Sequence, residues 1–405
     1  MVNQPKKAFS TRKIWRFISW IVIAAVFVAW MYAADSATHQ LSPVKLPLHQ
    51  PTLSDINFSW PSRGAAAIGT IEEGLIAQYG TKEPLPTASM AKAITVLVVL
   101  DKYPLTLDAP GPTLTMGKID VELYDKTLLA GGSNLPVFAG QQLTLRTVID
   151  GMMLESANNL ADSLAIWAFG SLSEYKKAAT SWIANHNLSE TTIGPDASGL
   201  DPATTSSTGD LLKIAQLVMK NDTLSHIVAQ ATASFSTIRK ITNTNILLNN
   251  GFKGIKTGYT SAAGYCLLFA SDYTREHQTK IIIGAMLGQE SSASRFKAAS
   301  MLVESANNNL DYATAIKKGD VVAYYDVPWA SNTEVVAAKD VGVLRWKNKA
   351  VDSTLNLPPI VAPKKAGDSV GSINLNGQVV DIVLKSDIPA PSLVWKLTHP
   401  FSTGQ

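Results

Sequence analysis

Apolar and polar positions divide the chain into stretches of different character. Residues 17–34 read FISWIVIAAVFVAWMYAA, an uncharged run interrupted only by Ser19. Its length is close to the roughly 20 residues that a helix needs to cross a bilayer, so we predict a transmembrane segment there. Residues 35–62 are rich in Pro and Ser and show no sustained periodicity, which indicates a linker.

The pattern of a folded body begins at Arg63. The segments AAAIGT and GLIAQYG flank a turn at Glu72-Glu73-Gly74 and predict a short hairpin. Residues 103–142 show no clear pattern. Helical periodicity predicts helices in PLPTASMAKAITVLVVLDKY, in the two halves of LTLRTVIDGMMLESANNLADSLAIWAFG, and over residues 172–186 and 208–220.

From Gly251 the pattern changes from helical to strand-like. GFKGIKTGYT, AGYCLLFASDY and KIIIGAMLG predict a meander of strands, and a helix follows at about residues 293–309. Because strands and helices segregate along the chain, we expect an α+β body over residues 63–310.

Beyond residue 311 the chain consists of short alternating segments separated by clusters of Gly, Asn, Asp and Pro. This pattern predicts a small all-β domain over residues 311–405. Near its end stand Leu393, Val394, Trp395 and Leu397. We interpret them as a strand edge that packs on this domain, in preference to a membrane contact.

The charge distribution bears on the compartment. Lys and Arg number 35 against 32 Asp and Glu, and residues 1–16 hold cations but no acid. The body is therefore not basic, which disfavours nucleic-acid binding. Cations before an apolar run predict that residues 1–16 are cytoplasmic and that the chain beyond residue 34 lies outside the membrane. The alternative is a cleaved signal peptide, since Ala34-Asp35-Ser36 offers small residues at a cleavage spacing. Both interpretations export the chain.

The residue inventory excludes several kinds of chemistry. A single cysteine, Cys266, rules out an intrachain disulfide and a Cys-rich zinc site. The six histidines are scattered and H-E-x-x-H does not occur; the one G-x-S-x-G match, Gly367 to Gly371, falls in the predicted all-β domain and not on a strand-to-helix turn. A zinc protease or a Ser-His-Asp hydrolase would lack its parts.

One short string could activate a nucleophile. Residues three apart on a helix share a face, so the Lys92 amine of Ser89-Met90-Ala91-Lys92 can lie over the Ser89 hydroxyl. A serine needs an adjacent base, and an ammonium cannot be one. Burial by the apolar residues 94–100, together with a second cation such as Lys256, would lower the pKa of Lys92. A single S-x-x-K string is more typical of an N-cap serine beside a solvated lysine.

Two further strings are weak alone. Ser156-Ala157-Asn158 is ordinary at a helix kink or cap. In Lys256-Thr257-Gly258, the glycine lets a ligand backbone approach, while the hydroxyl and the charge suit a carboxylate. The alternative for this third string is a cationic edge strand that discourages aggregation.

Taken together, the three strings resemble the S-x-x-K, S-D-N and K-T-G set of the penicillin-recognising serine enzymes. The S-A-N middle string points away from class A β-lactamases and toward the D-alanyl-D-alanine carboxypeptidase family of low-molecular-mass penicillin-binding proteins. LPTASMAK, LESANNLA, GPDASGLDP, NTNILLNN and GIKTGYTSAAGY also resemble that family. The resemblance covers residues 63–310, and VAPKKAGDSVGSINL looks like part of the family's C-terminal domain.

The resemblance implies a fold and an activity. The fold is α+β: a penicillin-binding-protein/β-lactamase-like catalytic domain, with an antiparallel sheet, flanking helices and a helical subdomain, followed by the small all-β domain. The activity is that of a serine D-Ala-D-Ala carboxypeptidase, which removes the terminal D-alanine from peptidoglycan stem pentapeptides through an acyl-enzyme. β-Lactams would be covalent inhibitors, and no metal or organic cofactor is needed. The location we predict is the bacterial cell membrane, through the single N-terminal helix and with the catalytic domain outside the cytoplasm; members of the family often attach instead through a C-terminal amphipathic helix.

The resemblance also implies catalytic roles. Ser89 would attack the carbonyl between two D-alanines, and Lys92 would take its proton. Ser156 would relay a proton to the departing amine, with Lys256 tuning it. Asn158 would hold Lys92 and the substrate amide in place.

Substrate-binding roles follow in the same way. Thr257 of the K-T-G string would bind the terminal carboxylate, with Arg295 as a second anchor. The backbone N–H groups of Ser89 and Tyr259 would form the oxyanion hole, and Gly258 would leave room for the substrate.

Other functions of the same fold stay open at this point. A class A β-lactamase needs a glutamate to activate water, but between Asn158 and Lys256 only Glu174 and Glu190 occur, and neither has an asparagine four residues on. A D,D-endopeptidase shares the same machinery. A catalytically inactive cell-wall scaffold is disfavoured because all three strings are intact. The sequence indicates no oligomeric state.

Overall fold

The computed structural model describes residues 11–36, 39–235 and 239–399. The chain forms two compact units, one of residues 55–311 and one of residues 1–54 with 312–405. The first ten residues of the predicted cytoplasmic segment 1–16 lie outside the described residues.

One five-stranded antiparallel sheet organises the unit of residues 55–311. In chain order its strands are β1 (Ala65–Thr70), β2 (Gly74–Tyr79), β3 (Phe252–Thr260), β4 (Gly264–Arg275) and β5 (Gln278–Gln289). Their spatial order is β3-β4-β5-β1-β2. β1 is buried along its whole length because it lies between β5 and β2. β3, which carries the K-T-G string, forms one edge. The neighbouring strands β1 and β2 confirm the predicted hairpin, and β3, β4 and β5 confirm the predicted meander.

Helices surround this sheet. In the helix Ala91–Lys102, every residue from Ala91 to Leu100 is buried, as its run of apolar positions requires. The predicted helices are confirmed, including the break between Leu145–Leu154 and Asn158–Phe169. The helices are α1 (Ala91–Lys102), α2 (Lys118–Leu129), α3 (Leu145–Leu154), α4 (Asn158–Phe169), α5 (Leu172–Asn185), α6 (Thr208–Lys220), α7 (Asp222–Ala229) and α8 (Ser292–Asn308).

Short elements complete this unit. They comprise two 3₁₀ helices and three small strand pairs away from the main sheet. The 3₁₀ helices are Ala88–Met90 and Ile246–Asn250, and the pairs join Leu85–Pro86 with Thr205–Ser206, Thr113–Thr115 with Gln142–Thr144, and Thr232–Ser234 with Lys240–Thr242.

The second unit is built on a six-stranded sheet and two small strand pairs. Its buried side chains form a hydrophobic core of their own. The antiparallel sheets of both units and the helices around the first confirm the α+β fold class. The strands of the second unit are Gln40–Leu41, Pro43–Lys45, Leu310–Ile316, Val321–Tyr325, Thr333–Ala337, Val341–Trp346, Ser353–Asn356, Ile360–Val361, Ser369–Leu375 and Gln378–Leu384.

Two parts of this unit differ from expectation. Pro43–Lys45 adds an edge strand beside Val321–Tyr325, and Gln40–Leu41 pairs with Ile360–Val361, so part of the predicted linker is structured. The predicted strand edge near the C-terminus is wrong: Leu393–Thr398 is a short helix. Its first turn is capped because the Trp395 N–H donates to Ser392 Oγ at 3.2 Å.

An exposed helix spans Thr11–Ser36. Its segment Arg12–Tyr32 has a mean hydropathy of 2.0. Among the described residues it is the one helix long and apolar enough to cross a membrane. This is compatible with a membrane anchor and with a signal sequence.

Candidate active site

Ser89 lies in a constrained turn at the start of α1. The preceding Ala88 has φ +48°, a left-handed conformation that non-glycine residues rarely adopt. The Thr87 N–H donates to the Thr204 carbonyl at 3.1 Å and fixes the approach of the chain. Ser89 then belongs to the 3₁₀ turn Ala88–Met90, which runs directly into α1. The side chain therefore has a fixed position, as a nucleophile requires.

The Lys92 amine is buried within reach of the Ser89 hydroxyl. Lys92 Nζ lies 2.8 Å from Ser89 Oγ, 2.6 Å from Asn158 Oδ1 and 3.0 Å from the Ser198 carbonyl oxygen. The last two atoms only accept hydrogen bonds. They take the two N–H groups of a neutral amine, which leaves its lone pair for the Ser89 hydroxyl.

Burial sets the protonation of both site lysines. Burial lowers the pKa of Lys92 to about 7, although the charges of Asp196 and Asp162 raise it. Burial also lowers the pKa of Lys256 well below its usual value, and the charges of Lys92 and Arg295 lower it further. Burial is therefore the main reason that Lys92 can act as a base.

The S-A-N string forms the break between α3 and α4. Ser156 has φ +67° and lines the cavity beside Ser89. The Asn158 N–H donates to the Ser133 carbonyl at 2.8 Å, which ties the loop after α2 to the start of α4. A Cβ atom at Gly132 would lie 2.8 Å from Asn158 Nδ2, so this loop needs glycine to approach so closely.

The K-T-G string lies on β3 beside the nucleophile turn. A Cβ atom on Gly258 would lie 3.1 Å from the Thr87 carbonyl oxygen and 3.2 Å from the Ser89 nitrogen, so only glycine fits without movement. The Thr257 hydroxyl lies 2.6 Å from that of Thr244. Lys256 is buried, and its amine donates to the Thr257 carbonyl at 3.2 Å.

Arg295 reaches the same place from the first turn of α8. Its Nη1 donates to the Gly258 carbonyl at 2.9 Å and to the Cys266 carbonyl at 3.2 Å. Its Nη2 donates to Ser292 Oγ at 3.2 Å. These bonds hold a positive charge against the edge of β3.

These side chains surround a cavity of about 520 Å³. Seven of the nine predicted site residues line it, and Lys92 and Lys256 are buried against it through their hydrogen bonds to Ser89 and Thr257. Among the described residues, no cluster of three His, Cys, Asp or Glu side chains could hold a metal ion. The lining residues are Ser89, Ala130, Gly131, Gly132, Ser133, Ser156, Asn158, Leu200, Thr244, Thr257, Gly258, Tyr259, Thr260, Ser261 and Arg295.

Sequence reasoning missed Asp196, which holds the loop that contacts Lys92. Its Oδ1 accepts from the N–H groups of Ser198 at 2.7 Å and Gly199 at 2.6 Å, and its Oδ2 accepts from that of Asp201 at 2.8 Å. The loop thereby presents the Ser198 carbonyl to Lys92. The string GPDASGLDP was the available signal, but nothing in it indicates a contact with a lysine about a hundred residues earlier.

Asp162 and Thr244 were missed as well. Asp162 accepts from the Ala197 N–H at 2.8 Å, and burial raises its pKa to about 6. Thr244 completes the hydroxyl pair with Thr257. Thr244 lies within NTNILLNN, and Asp162 directly follows LESANNLA, but neither string indicates these contacts.

The chain is similar in sequence to proteins of known activity. Residues 70–289, more than half of the chain, match the profile of the peptidase S11 family, D-alanyl-D-alanine carboxypeptidase. The D-alanyl-D-alanine carboxypeptidase DacF of Bacillus subtilis is 24% identical over 321 residues, 77% of this chain and 73% of the relative. That of Streptomyces sp. strain K15 is 32% identical over 227 residues, 52% of this chain and 74% of the relative.

Solved structures share the fold. A peptidoglycan synthesis regulatory factor (PBP3) from Streptococcus pneumoniae superimposes with a TM-score of 0.61, covering 82% of this chain and 100% of the other at 19% identity. The Streptomyces K15 DD-transpeptidase superimposes with a TM-score of 0.53, covering 63% of this chain and 98% of the other at 27% identity.

Proposed function

Because the chain belongs to the D-alanyl-D-alanine carboxypeptidase family, we propose that Ser89 is the nucleophile of its serine-type D-Ala-D-Ala carboxypeptidase activity. Members of this family act on peptidoglycan peptides and bind β-lactams. The observation that carries the proposal is the 2.8 Å between Ser89 Oγ and a buried amine whose two N–H groups are already committed.

Acylation uses the groups around Ser89. Its hydroxyl loses a proton to Lys92 as its oxygen attacks the carbonyl carbon between the two D-alanines. The backbone N–H groups of Ser89 and Tyr259 stabilise the resulting oxyanion. Ser156 passes its proton to the leaving nitrogen and regains one from protonated Lys92, with Lys256 tuning this relay. The C–N bond breaks, and the terminal D-alanine departs.

Deacylation reverses these roles with water. A water molecule gives its proton to the neutral Lys92 as its oxygen attacks the ester carbonyl; the C–O bond to Ser89 then breaks, and protonated Lys92 returns the proton to the Ser89 oxygen. Asn158 Oδ1 accepts a hydrogen bond from the amine at 2.6 Å and fixes it, while Asn158 Nδ2 binds the substrate amide. The shortened peptide leaves with a new carboxylate.

The free carboxylate of a stem pentapeptide binds between β3 and α8. The Thr257 hydroxyl, supported by Thr244, donates to it, and Arg295 supplies the positive charge. Gly258 lets the substrate backbone lie against the strand. Charge and hydroxyl donors at one end of the cavity select a peptide with a free C-terminus.

The location we propose is the cell membrane. The helix Thr11–Ser36 would cross it once with its basic end in the cytoplasm, and residues 55–311 would lie on the outer side, where peptidoglycan is assembled. A cleaved signal peptide would place the same unit outside the membrane without the anchor.

The test is to incubate the purified chain with a fluorescent penicillin and, separately, with a pentapeptide ending in D-Ala-D-Ala. We expect covalent labelling and D-alanine release, both lost in Ser89→Ala and retained in Ser133→Ala, a matched serine on the cavity wall. Labelling without D-alanine release would contradict the carboxypeptidase and favour a scaffold. Rapid loss of the label would instead indicate a β-lactamase.

Transfer to an amine is a second candidate, since the chain is 27% identical to the Streptomyces K15 DD-transpeptidase. Adding a D-amino acid as acceptor and analysing the products by mass spectrometry separates the two outcomes. A peptide whose terminal D-alanine is exchanged for the acceptor would demonstrate transfer.

A further inference from the structure

The loop of residues 196–201, which presents the Ser198 carbonyl to Lys92, is held by buried groups on the helices beneath it. The Ala197 N–H donates to Asp162 Oδ1 on α4 at 2.8 Å. The Ala197 carbonyl accepts from Thr95 Oγ1 on α1 at 2.6 Å. Because both polar groups of Ala197 are fixed, the direction of the next carbonyl along the chain, that of Ser198, is fixed as well.

A third helix contributes to this support through Tyr175 of α5. Its Oη lies 2.8 Å from Thr95 Oγ1. A carbonyl only accepts, so the single Thr95 proton points to Ala197 and Tyr175 is the donor in the hydroxyl pair. The Ala91 carbonyl, the usual acceptor one turn back on a helix, is farther from Thr95 Oγ1, at 3.3 Å. Burial raises the pKa of Tyr175, so its hydroxyl stays protonated and keeps donating.

This pair of hydroxyls lies directly behind the proposed base. Thr95 follows Lys92 by three residues on α1, so both side chains share one face of the helix. Thr95 binds the carbonyl of residue 197, and Lys92 binds the next one, at 3.0 Å. Thr95 and Tyr175 are buried, and neither belongs to the described residues that line the cavity. Any effect on the reaction must therefore pass through the loop.

We propose that Thr95 and Tyr175 are positioning residues for the base: they aim the Ser198 carbonyl at Lys92 and so keep one N–H of its neutral amine committed. If that carbonyl turned away, the freed N–H could donate to Ser89 Oγ, and the lone pair would no longer face the hydroxyl proton. The same carbonyl stabilises the ammonium that forms when the proton is transferred. This role rests on the proposed function of Ser89.

The test compares three substitutions in the pair with one matched control. Thr95→Val keeps the shape of the side chain and removes the hydroxyl, Thr95→Ser keeps the hydroxyl, and Tyr175→Phe removes only the donor to Thr95. The control is Thr223→Val, at another buried threonine of this unit, whose Oγ1 donates to the Leu105 carbonyl at 2.8 Å. Penicillin labelling at several concentrations, between about pH 5 and about pH 9, separates the dissociation constant of the non-covalent complex from the acylation rate constant.

We expect Thr95→Val to lower the acylation rate constant about tenfold and to leave the dissociation constant unchanged. The midpoint of its pH dependence should move below that of the unsubstituted chain, because the ammonium form of Lys92 loses an acceptor. The titratable groups that face Lys92 are Asp162 on α4, Asp196 in the loop and Lys256 on β3. The substitution keeps all three, so a shift reports the hydrogen bond. Thr95→Ser should restore both quantities.

The remaining variants separate positioning from stability. Tyr175→Phe should change the rate constant and the midpoint in the same directions, with a loss of about threefold in rate. Thr223→Val should change neither, although it also removes a buried hydrogen bond and should lower the free energy of unfolding.

A midpoint that is unmoved or raised in Thr95→Val would overturn the proposal, and so would a rate constant no lower than that of Thr223→Val. If Thr95→Val does not fold, Tyr175→Phe decides, and an unchanged rate constant or midpoint there would overturn the proposal. Absence of labelling in the unsubstituted chain would instead contradict the proposed function.

Discussion

The chemistry of Lys92 follows from what surrounds its amine. The helix places this amine over Ser89. The two acceptors, Asn158 Oδ1 and the Ser198 carbonyl, decide whether the amine or the hydroxyl donates in the hydrogen bond between Lys92 and Ser89. Because both N–H groups of the neutral amine are committed to these acceptors, its lone pair faces the hydroxyl. Burial makes this neutral form accessible near neutral pH.

Acylation should therefore depend on pH. Since only unprotonated Lys92 can take the Ser89 proton, and burial lowers its pKa to about 7, the rate constant for penicillin labelling should rise as the pH increases through about 7 and then level off. Stopped-time labelling between about pH 5 and about pH 9 measures this. Circular dichroism over the same range controls for unfolding. A rate that is flat across pH 7 would rule out Lys92 as the base.

Asp196 provides a second prediction at this scale. Asp196→Asn removes the acceptor for the Asp201 N–H and the negative charge that raises the pKa of Lys92. We expect labelling to be about tenfold slower, and the midpoint of its pH dependence to move below that of the unsubstituted chain. Asp201→Asn is the matched control in the same loop. A slower rate with an unmoved midpoint would mean that Asp196 only holds the loop.

Single residues show where sequence reasoning succeeds. Ser89 and Lys92 were found because helical spacing alone brings them together. Asp196 and Thr244 were not: the loop that Asp196 holds contacts Lys92, about a hundred residues earlier, and Thr257, the partner of Thr244, lies 13 residues later on another element. The fold sets such contacts, and no local spacing encodes them.

At the scale of elements, the site depends on how closely β3 approaches the nucleophile turn. Gly258→Ala would put a Cβ atom 3.1 Å from the Thr87 carbonyl oxygen and 3.2 Å from the Ser89 nitrogen. Because these are backbone atoms, the strand must move away. We expect labelling to slow by about tenfold to a hundredfold, measured as the rate constant with saturating penicillin.

The control for this variant is Gly209→Ala in α6. A Cβ atom there would meet its nearest neighbour, Ser207 Oγ, at 3.7 Å, an ordinary contact. Labelling should be unchanged, and the free energy of unfolding should rise by at most about 1 kcal/mol from helix propensity. A Gly258→Ala enzyme as fast as this control would mean that the close approach is unimportant.

Most elements with clear periodicity were predicted correctly, but the helices α2, α7 and Leu393–Thr398 were not. α2 buries only Asp120 and Thr127, so no apolar stripe marks it. It begins because the Gly117 N–H donates to Asp120 Oδ2 at 2.7 Å. The helix Leu393–Thr398 has no buried residue, and its apolar residues resemble a strand.

At the scale of the whole molecule, segments that are far apart in the chain belong to the same unit, as residues 1–54 and 312–405 do. Pro43–Lys45 looks like linker because its pairing partner, Val321–Tyr325, lies almost 280 residues later. Short edge strands of this kind carry too few residues for alternation to be recognised. The overall α+β class was nevertheless predictable, because long buried strands and helices dominate residues 55–311.

The orientation across the membrane is testable with the single cysteine. Cys266 is buried, and burial raises its pKa to about 11, so the unsubstituted chain should not react with a membrane-impermeant maleimide. Lys82 is exposed in the catalytic unit, and Lys82→Cys adds an accessible thiol. If residues 55–311 lie outside the cytoplasmic membrane, spheroplasts carrying this variant are labelled without lysis, and the unsubstituted chain stays unlabelled before and after lysis. Labelling of Lys82→Cys only after lysis would place the catalytic unit in the cytoplasm and contradict the proposed orientation.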